Sequence, residues 1–216
     1  MLKKICSLLA VTLCLSVLSE IHAQSFGTKL NFGTQGIGVE GVLQVSEPIN
    51  VRVGANFLGA SYLYETDTDD DFDIDSSLSL STFSALADWH AFKSSFRITA
   101  GLIYNNNTVK ASLLPKQEYT IGGDVYTPEE LGNLDAEVTF NPISPYIGLG
   151  FGNTFSGSRL GFQVDLGVLY HGEPSVSMTA DGLLSPSASQ APQLQENLSW
   201  ATLYPVFTLS FTYRIN

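Results

Sequence analysis

The chain has 216 residues, 44% of them hydrophobic and 11% aromatic, so it carries the apolar material for a folded core and is no disordered acidic tail. Only 14% are charged, against roughly 25% in soluble domains, so much of the surface must be uncharged. The net charge of −11, with no basic cluster past the first four residues, argues against nucleic acid as a partner.

Residues 1–23 read as a secretory signal: Lys3 and Lys4 are positive, Ile5 to Leu18 is apolar, and a short polar exit ends at Ala23, after which cleavage is expected. The apolar run is shorter than the ~20 residues of a membrane-spanning helix, and Leu13 before Cys14 is too bulky for a lipoprotein site. Cys6 and Cys14 leave with the signal, so the chain from Gln24 to Asn216, expected to be one domain, has no disulfide, thiol nucleophile or thiolate metal ligand. Loss of Lys3, Lys4 and Glu20 moves the net charge from −11 to −12.

Period-two alternation fills the remainder. Val51, Val53, Ala55 and Phe57 alternate with Arg52, Gly54 and Asn56, and Phe83, Ala85, Ala87 and Trp89 with Ser84, Leu86, Asp88 and His90. Phe96, Ile98, Ala100, Leu102 and Tyr104 alternate with Arg97, Thr99 and Gly101, and Phe162, Val164, Leu166, Val168 and Tyr170 with Gln163, Asp165, Gly167 and His171. Phe207, Leu209, Phe211, Tyr213 and Ile215 do so last. Turn residues divide these runs into eight strands at roughly 26–33, 36–46, 50–65, 76–91, 96–113, 135–152, 159–180 and 199–216. Short connectors at 46–49, 92–95 and 153–158 alternate with the tight turn at 33–36 and long polar connectors at 66–75, 114–134 and 181–198. This predicts an all-β fold: an eight-stranded antiparallel up-and-down transmembrane barrel with short periplasmic turns and long extracellular loops.

A soluble barrel also alternates, but its outer polar face would be rich in Lys and Glu. Here each polar face carries about one charge among Gly, Ser, Thr, Asn and Gln, which suits a narrow, filled, polar lumen. The apolar faces, with Tyr and Trp toward their ends, suit lipid and an interfacial girdle. The expected location is therefore the outer membrane, as a monomer among membrane lipid.

Projecting the polar parity gives a lumen set of Lys29, Glu40, Arg52, Asp88, Arg97, Asp165 and Arg214. Near balance of sign is what a plugged core requires, while a path for small zwitterionic or cationic solutes is the functional alternative. Asp67, Asp69, Asp71, Asp73 and Asp75 place a carboxylate at every second position of the 66–75 loop. They suit a divalent cation such as Ca²⁺ or Mg²⁺ but lack the glycine and Glu of an EF-hand, so a solvated loop is the plainer reading. His171 with Glu173, Ser175 and Ser177 is a remote hydrolase constellation without a nucleophile elbow, so no enzyme, cofactor or transition-metal site is expected. His90, beside Trp89, reads as interfacial. The 114–134 loop is expected to turn at Gly122-Gly123 and then form a short helix capped by Thr127, with Pro128 first and Glu129 and Glu130 at its positive end. A polar helical stretch is expected near Gln193 to Asn197. These loops supply the other functional reading, a non-conducting structural or adhesive barrel.

Tyr119 to Tyr126, Ser144-Pro145-Tyr146-Ile147-Gly148-Leu149-Gly150-Phe151-Gly152 and Asp165 to Pro174 resemble the CarO-type, carbapenem-associated outer-membrane proteins. The resemblance covers the second half of the chain better than the first. It implies an eight-stranded barrel and a role in entry of basic amino acids such as ornithine.

Overall fold

The computed structural model describes residues 25–64, 72–91 and 95–216; the signal expectation, Asp67, Asp69 and Asp71 lie outside these residues. In chain order the strands are β1 (Phe26–Gly33), β2 (Gly36–Ser46), β3 (Ile49–Tyr64), β4 (Phe72–His90), β5 (Phe96–Asn105), β6 (Thr108–Pro115), β7 (Tyr119–Ile121) and β8 (Asp124–Tyr126). The helix α1 (Pro128–Leu131) follows, then β9 (Leu134–Thr139), β10 (Ile143–Phe151), β11 (Leu160–Tyr170) and β12 (Ser175–Ala180). A 3-10 segment (Gly182–Gln190), α2 (Ala191–Leu198) and β13 (Leu203–Arg214) complete the chain.

The strands form an almost wholly antiparallel sheet. From β4 the pairing runs to β3, β2, β1, β13, β11, β10 and β5, and β5 pairs with β4 in turn. Asn216 accepts a hydrogen bond from the Phe26 N–H, so the two described chain ends meet across the β1–β13 seam.

Three expected strands each break once. The run at 96–113 is β5 and β6, parted at Asn106-Asn107; that at 135–152 is β9 and β10, parted at Phe140-Asn141-Pro142; that at 159–180 is β11 and β12, parted at His171 to Pro174. Pro142 and Pro174 have no N–H for a ladder, and Asn105 turns its side-chain oxygen to the Asn107 N–H, which ends the regular pairing. On the far side of each break from the circuit, the strand pairs again with new partners. β4 uses Thr82 to His90 against β5 and Phe72 to Ser79 against β6, and β6 pairs with β9 and β9 with β12. Strands β3, β4, β6, β9 and β12 thus form a tall wall on one side, whereas β1 and β2 turn back at Thr34-Gln35. The wall is built mostly from the upper parts of expected strands; of the expected 66–75 loop, Phe72 to Asp75, with Asp73 and Asp75, belongs to β4. The β7–β8 hairpin turns at Gly122 and Gly123, at φ 65° and 104°. Thr127 caps α1 in a box with Glu130.

The two faces exchange character partway along a single strand. On β4 the outward side chains from the short-turn end are Trp89, Ala87, Ala85 and Phe83, then Ser81, Ser79, Ser77, Asp75 and Asp73. The opposite side reads His90, Asp88, Leu86, Ser84 and Thr82, then Leu80, Leu78, Ser76, Ile74 and Phe72. The same switch falls at Phe57 and Leu58 of β3. In the wall, Leu78, Val109, Val138 and Val176 line up on one side and Ser77, Lys110, Glu137 and Ser177 on the other. Below the switch the outer side of the sheet is apolar and most of the inner side polar; above it β4 and the wall reverse this, while β3 is exposed on both faces from Leu58 to Tyr64. Phe57, Phe83 and Tyr104 mark the border, with ring centroids 5.9 Å and 6.4 Å apart.

Candidate functional site

Inward positions of the pairing circuit are fixed by strand parity and register. Lys29 sits opposite Glu40 across β1 and β2, and Gly150 lies opposite both Arg97 and Asp165. Glycine leaves room for the pair at that middle position: a Cβ there would stand 2.7 Å from the Arg97 guanidinium carbon and 2.8 Å from an Asp165 carboxylate oxygen, so the pair would have to shift. On β11, a Cβ at Gly167 would collide with the Tyr146 ring, which lies across it.

Six of the seven expected interior charges form one network. Arg97 Nη2 donates to both Asp165 carboxylate oxygens at 2.7 Å, and Nη1 donates to the Gly152 carbonyl at 2.5 Å. Arg52 donates to Glu40 at 3.0 Å and reaches Asp88 through Nε at 3.0 Å, an ion pair without hydrogen-bond alignment. Arg52 and Arg97 also stand 3.6 Å from Asp165 and Asp88 respectively. Lys29 is held most loosely, at 3.4 Å from Glu40 and 3.5 Å from Asp165. Thr99 donates to Asp88 at 2.7 Å. All six charged side chains are at most 5% exposed, and their formal charges, Lys29, Arg52 and Arg97 against Glu40, Asp88 and Asp165, sum to zero.

Arg214 shares the parity but not the network. It is half-buried at the short-turn end and donates to the carbonyls of Phe155 and Gly157. Without it, the near balance of sign expected for the interior becomes exact balance. His90 is buried and faces inward beside Asn50, 3.0 Å away, rather than at an interface; Trp89 is the outward member of the pair.

The interior is not polar throughout. Toward the long-loop end, Leu86, Ile103, Tyr146, Leu169 and Val206 form an apolar cluster. Between this cluster and the network lies a cavity of about 20 Å³, bordered by Glu40, Arg52, Asp165 and Tyr146. A water needs about 10–15 Å³ by this measure, so the space takes one.

The remaining candidates are dispersed. Asp73 pairs with Lys116 at 2.6 Å, and Asp75 is exposed on the same side of β4. Among the described residues no cluster of three or more His, Cys, Asp or Glu is placed to hold a metal ion. The His171 ring is buried against Phe140, with centroids 4.4 Å apart, and its Nδ1 has no partner among the described residues, while Glu173, Ser175 and Ser177 are exposed. Parity missed Gln35, whose side chain turns inward from the β1–β2 turn, because alternation carries no information within a turn.

No family model matches the chain, and no curated protein matches it either. Among solved structures it is similar to CarO2 of Acinetobacter baumannii, at a TM-score of 0.60 and 18% identity over 89% of this chain and 100% of that one. CarO of the same organism aligns at a TM-score of 0.59 and 16% identity over 87% of this chain and 96% of that one. The resemblance read from the sequence therefore holds at the level of fold.

Proposed function

We propose that the chain spans the outer membrane as a closed eight-stranded barrel with a largely filled lumen, passing small basic or zwitterionic solutes, amino acids among them, slowly and without catalysis. The exchange of faces at Phe57, Phe83 and Tyr104 carries the membrane part of this reading. An apolar outer surface that turns polar on the same strands matches a lipid layer ending at an aromatic border. Strands β2, β5, β10, β11 and β13 have 11, 10, 9, 11 and 12 residues, the length needed to cross a bilayer at a tilt of about 45°. Export through the leader at residues 1–23 belongs to the same proposal.

The charge-balanced network supports passage by exchange rather than through an open pore. A solute ammonium would take the place of Lys29 at Glu40 and Asp165, the most weakly held pairing. The acidic stretch from Asp67 to Asp75 would draw cations toward the outer mouth. Uptake of labelled ornithine into liposomes, beside a neutral sugar, tests this: ornithine should enter faster than through empty liposomes and faster than the sugar. If neither solute enters, the transport reading fails. A second reading, a non-conducting barrel acting through its outer wall, is favoured by the water-sized cavity and by the hydroxyl- and carboxylate-bearing outer face of β6, β9 and β12.

A further inference from the structure

The β1–β2 turn is the low point of the rim, since Thr34 and Gln35 alone reverse the chain there while β3 and β4 run on into the wall. Its two residues are held in opposite ways. Thr34 is pinned to β13 and its approach: its N–H donates to the Phe207 carbonyl at 3.0 Å, and its hydroxyl donates to the Pro205 carbonyl at 3.2 Å and accepts from the Phe207 N–H at 3.1 Å. The Thr34 carbonyl accepts the Tyr204 hydroxyl at 2.6 Å. Gln35 is folded into the interior, only 7% exposed, and its amide Nε2 has no hydrogen-bond partner among the described residues. It borders the water-sized cavity, as does Ser84, whose buried hydroxyl is likewise without a partner among those residues. Asn31 and Asn56 complete the polar side, and Glu40 and Arg52 of the charge network also line it.

A buried amide and a buried hydroxyl that both lack partners, facing one small cavity, are arranged for a guest that brings hydrogen bonds. We infer that Gln35 is the outer gate of the interior. Its side chain swings out on a turn whose backbone stays tied to β13, and small solutes bearing hydrogen-bond donors and acceptors enter beneath the low rim to reach Glu40 and Arg52. Apolar molecules of the same size leave the amides, the hydroxyl and the charges unsatisfied and are refused. The purpose of the gate rests on the transport reading, but its opening is a property of the turn and can be measured without transport.

The chain from Gln24 onward has no cysteine, so a single introduced thiol reports cleanly. Ser84→Cys in lipid nanodiscs should react slowly with a small cationic methanethiosulfonate reagent, because the gate is open only a small fraction of the time. Adding Gln35→Ala should speed the reaction about tenfold or more, the factor expected when a minor open state becomes the major one. Thr208→Cys, at a second position on the cavity wall, should show the same acceleration, and Ser177→Cys, exposed on the outer wall, none. Equal rates at both cavity positions with and without Gln35→Ala would overturn the gate. Ornithine uptake measured on the same variants separates the two ideas: faster labelling without uptake keeps the gate and removes transport, whereas uptake with unchanged labelling keeps transport and removes the gate.

Discussion

Removing Arg97 together with Asp165 should cost no more than removing either one alone. Arg97→Met deletes the two 2.7 Å hydrogen bonds to Asp165 and the one to Gly152, and leaves Asp165 with partners at 3.5 Å and 3.6 Å only. The interior then holds Lys29 and Arg52 against three carboxylates, a stranded buried charge that costs roughly 3–5 kcal/mol. Asp165→Leu strands a cation instead and should cost a similar amount. The double variant leaves Lys29 and Arg52 against Glu40 and Asp88, which is again neutral. It should therefore lose about as much as either single change, not their sum of about 6–10 kcal/mol, a coupling of about 3 kcal/mol or more. Urea unfolding in detergent micelles, followed by the mobility shift between folded and heated forms, supplies the cycle. Additive losses would refute the view that these charges act as one balanced unit.

Gly150→Ala should cost about 1–3 kcal/mol, because its Cβ presses on the Arg97 and Asp165 pair, whereas Gly59→Ala, with nothing within 4 Å, should be near neutral. Thermal unfolding of the two variants compares them directly. Leu166→Lys, on the outward face midway along β11, should cost about 2–4 kcal/mol in a bilayer, and Ser79→Lys, on the polar outer side of β4, less than about 0.5 kcal/mol. Equal effects in a folding assay would show that the two positions share one environment. Planar-bilayer recordings should show no steady open conductance, since the charge network crosses the interior and the cavity beside it takes one water; a large ohmic conductance would contradict the filled interior.

Parity was enough to bring Lys29, Glu40, Arg52, Asp88, Arg97 and Asp165 to one side, because a strand alternates regardless of its partners. It says nothing of height, so Arg214 could be assigned to the right face and still lie near a strand end, beyond reach of the network. The apolar cluster was hidden for a related reason. Leu86, Ile103, Leu169 and Val206 lie between outward neighbours that are themselves apolar or small, so hydropathy cannot tell the two sides apart. The breaks at Pro142 and Pro174 left a visible trace, a residue without an N–H inside an alternating run, but the change of partner beyond them is a matter of long-range register. Local chemistry, by contrast, was fully readable at Gly122-Gly123 and at the Thr127 cap, where the backbone conformation depends on only a few neighbouring residues.

The central claim is that one continuous strand passes from lipid into water at the aromatic border. Single cysteines at the odd positions of β4 from Asp73 to Trp89, spin-labelled in bilayers, would be compared for collisions with oxygen and with a polar nickel chelate. The labels at 83, 85 and 87 should favour oxygen, and those at 81, 79, 77, 75 and 73 the chelate, with the crossing between Ser81 and Phe83. Chelate access along the whole outer face, or a crossing well away from that pair, would contradict the account.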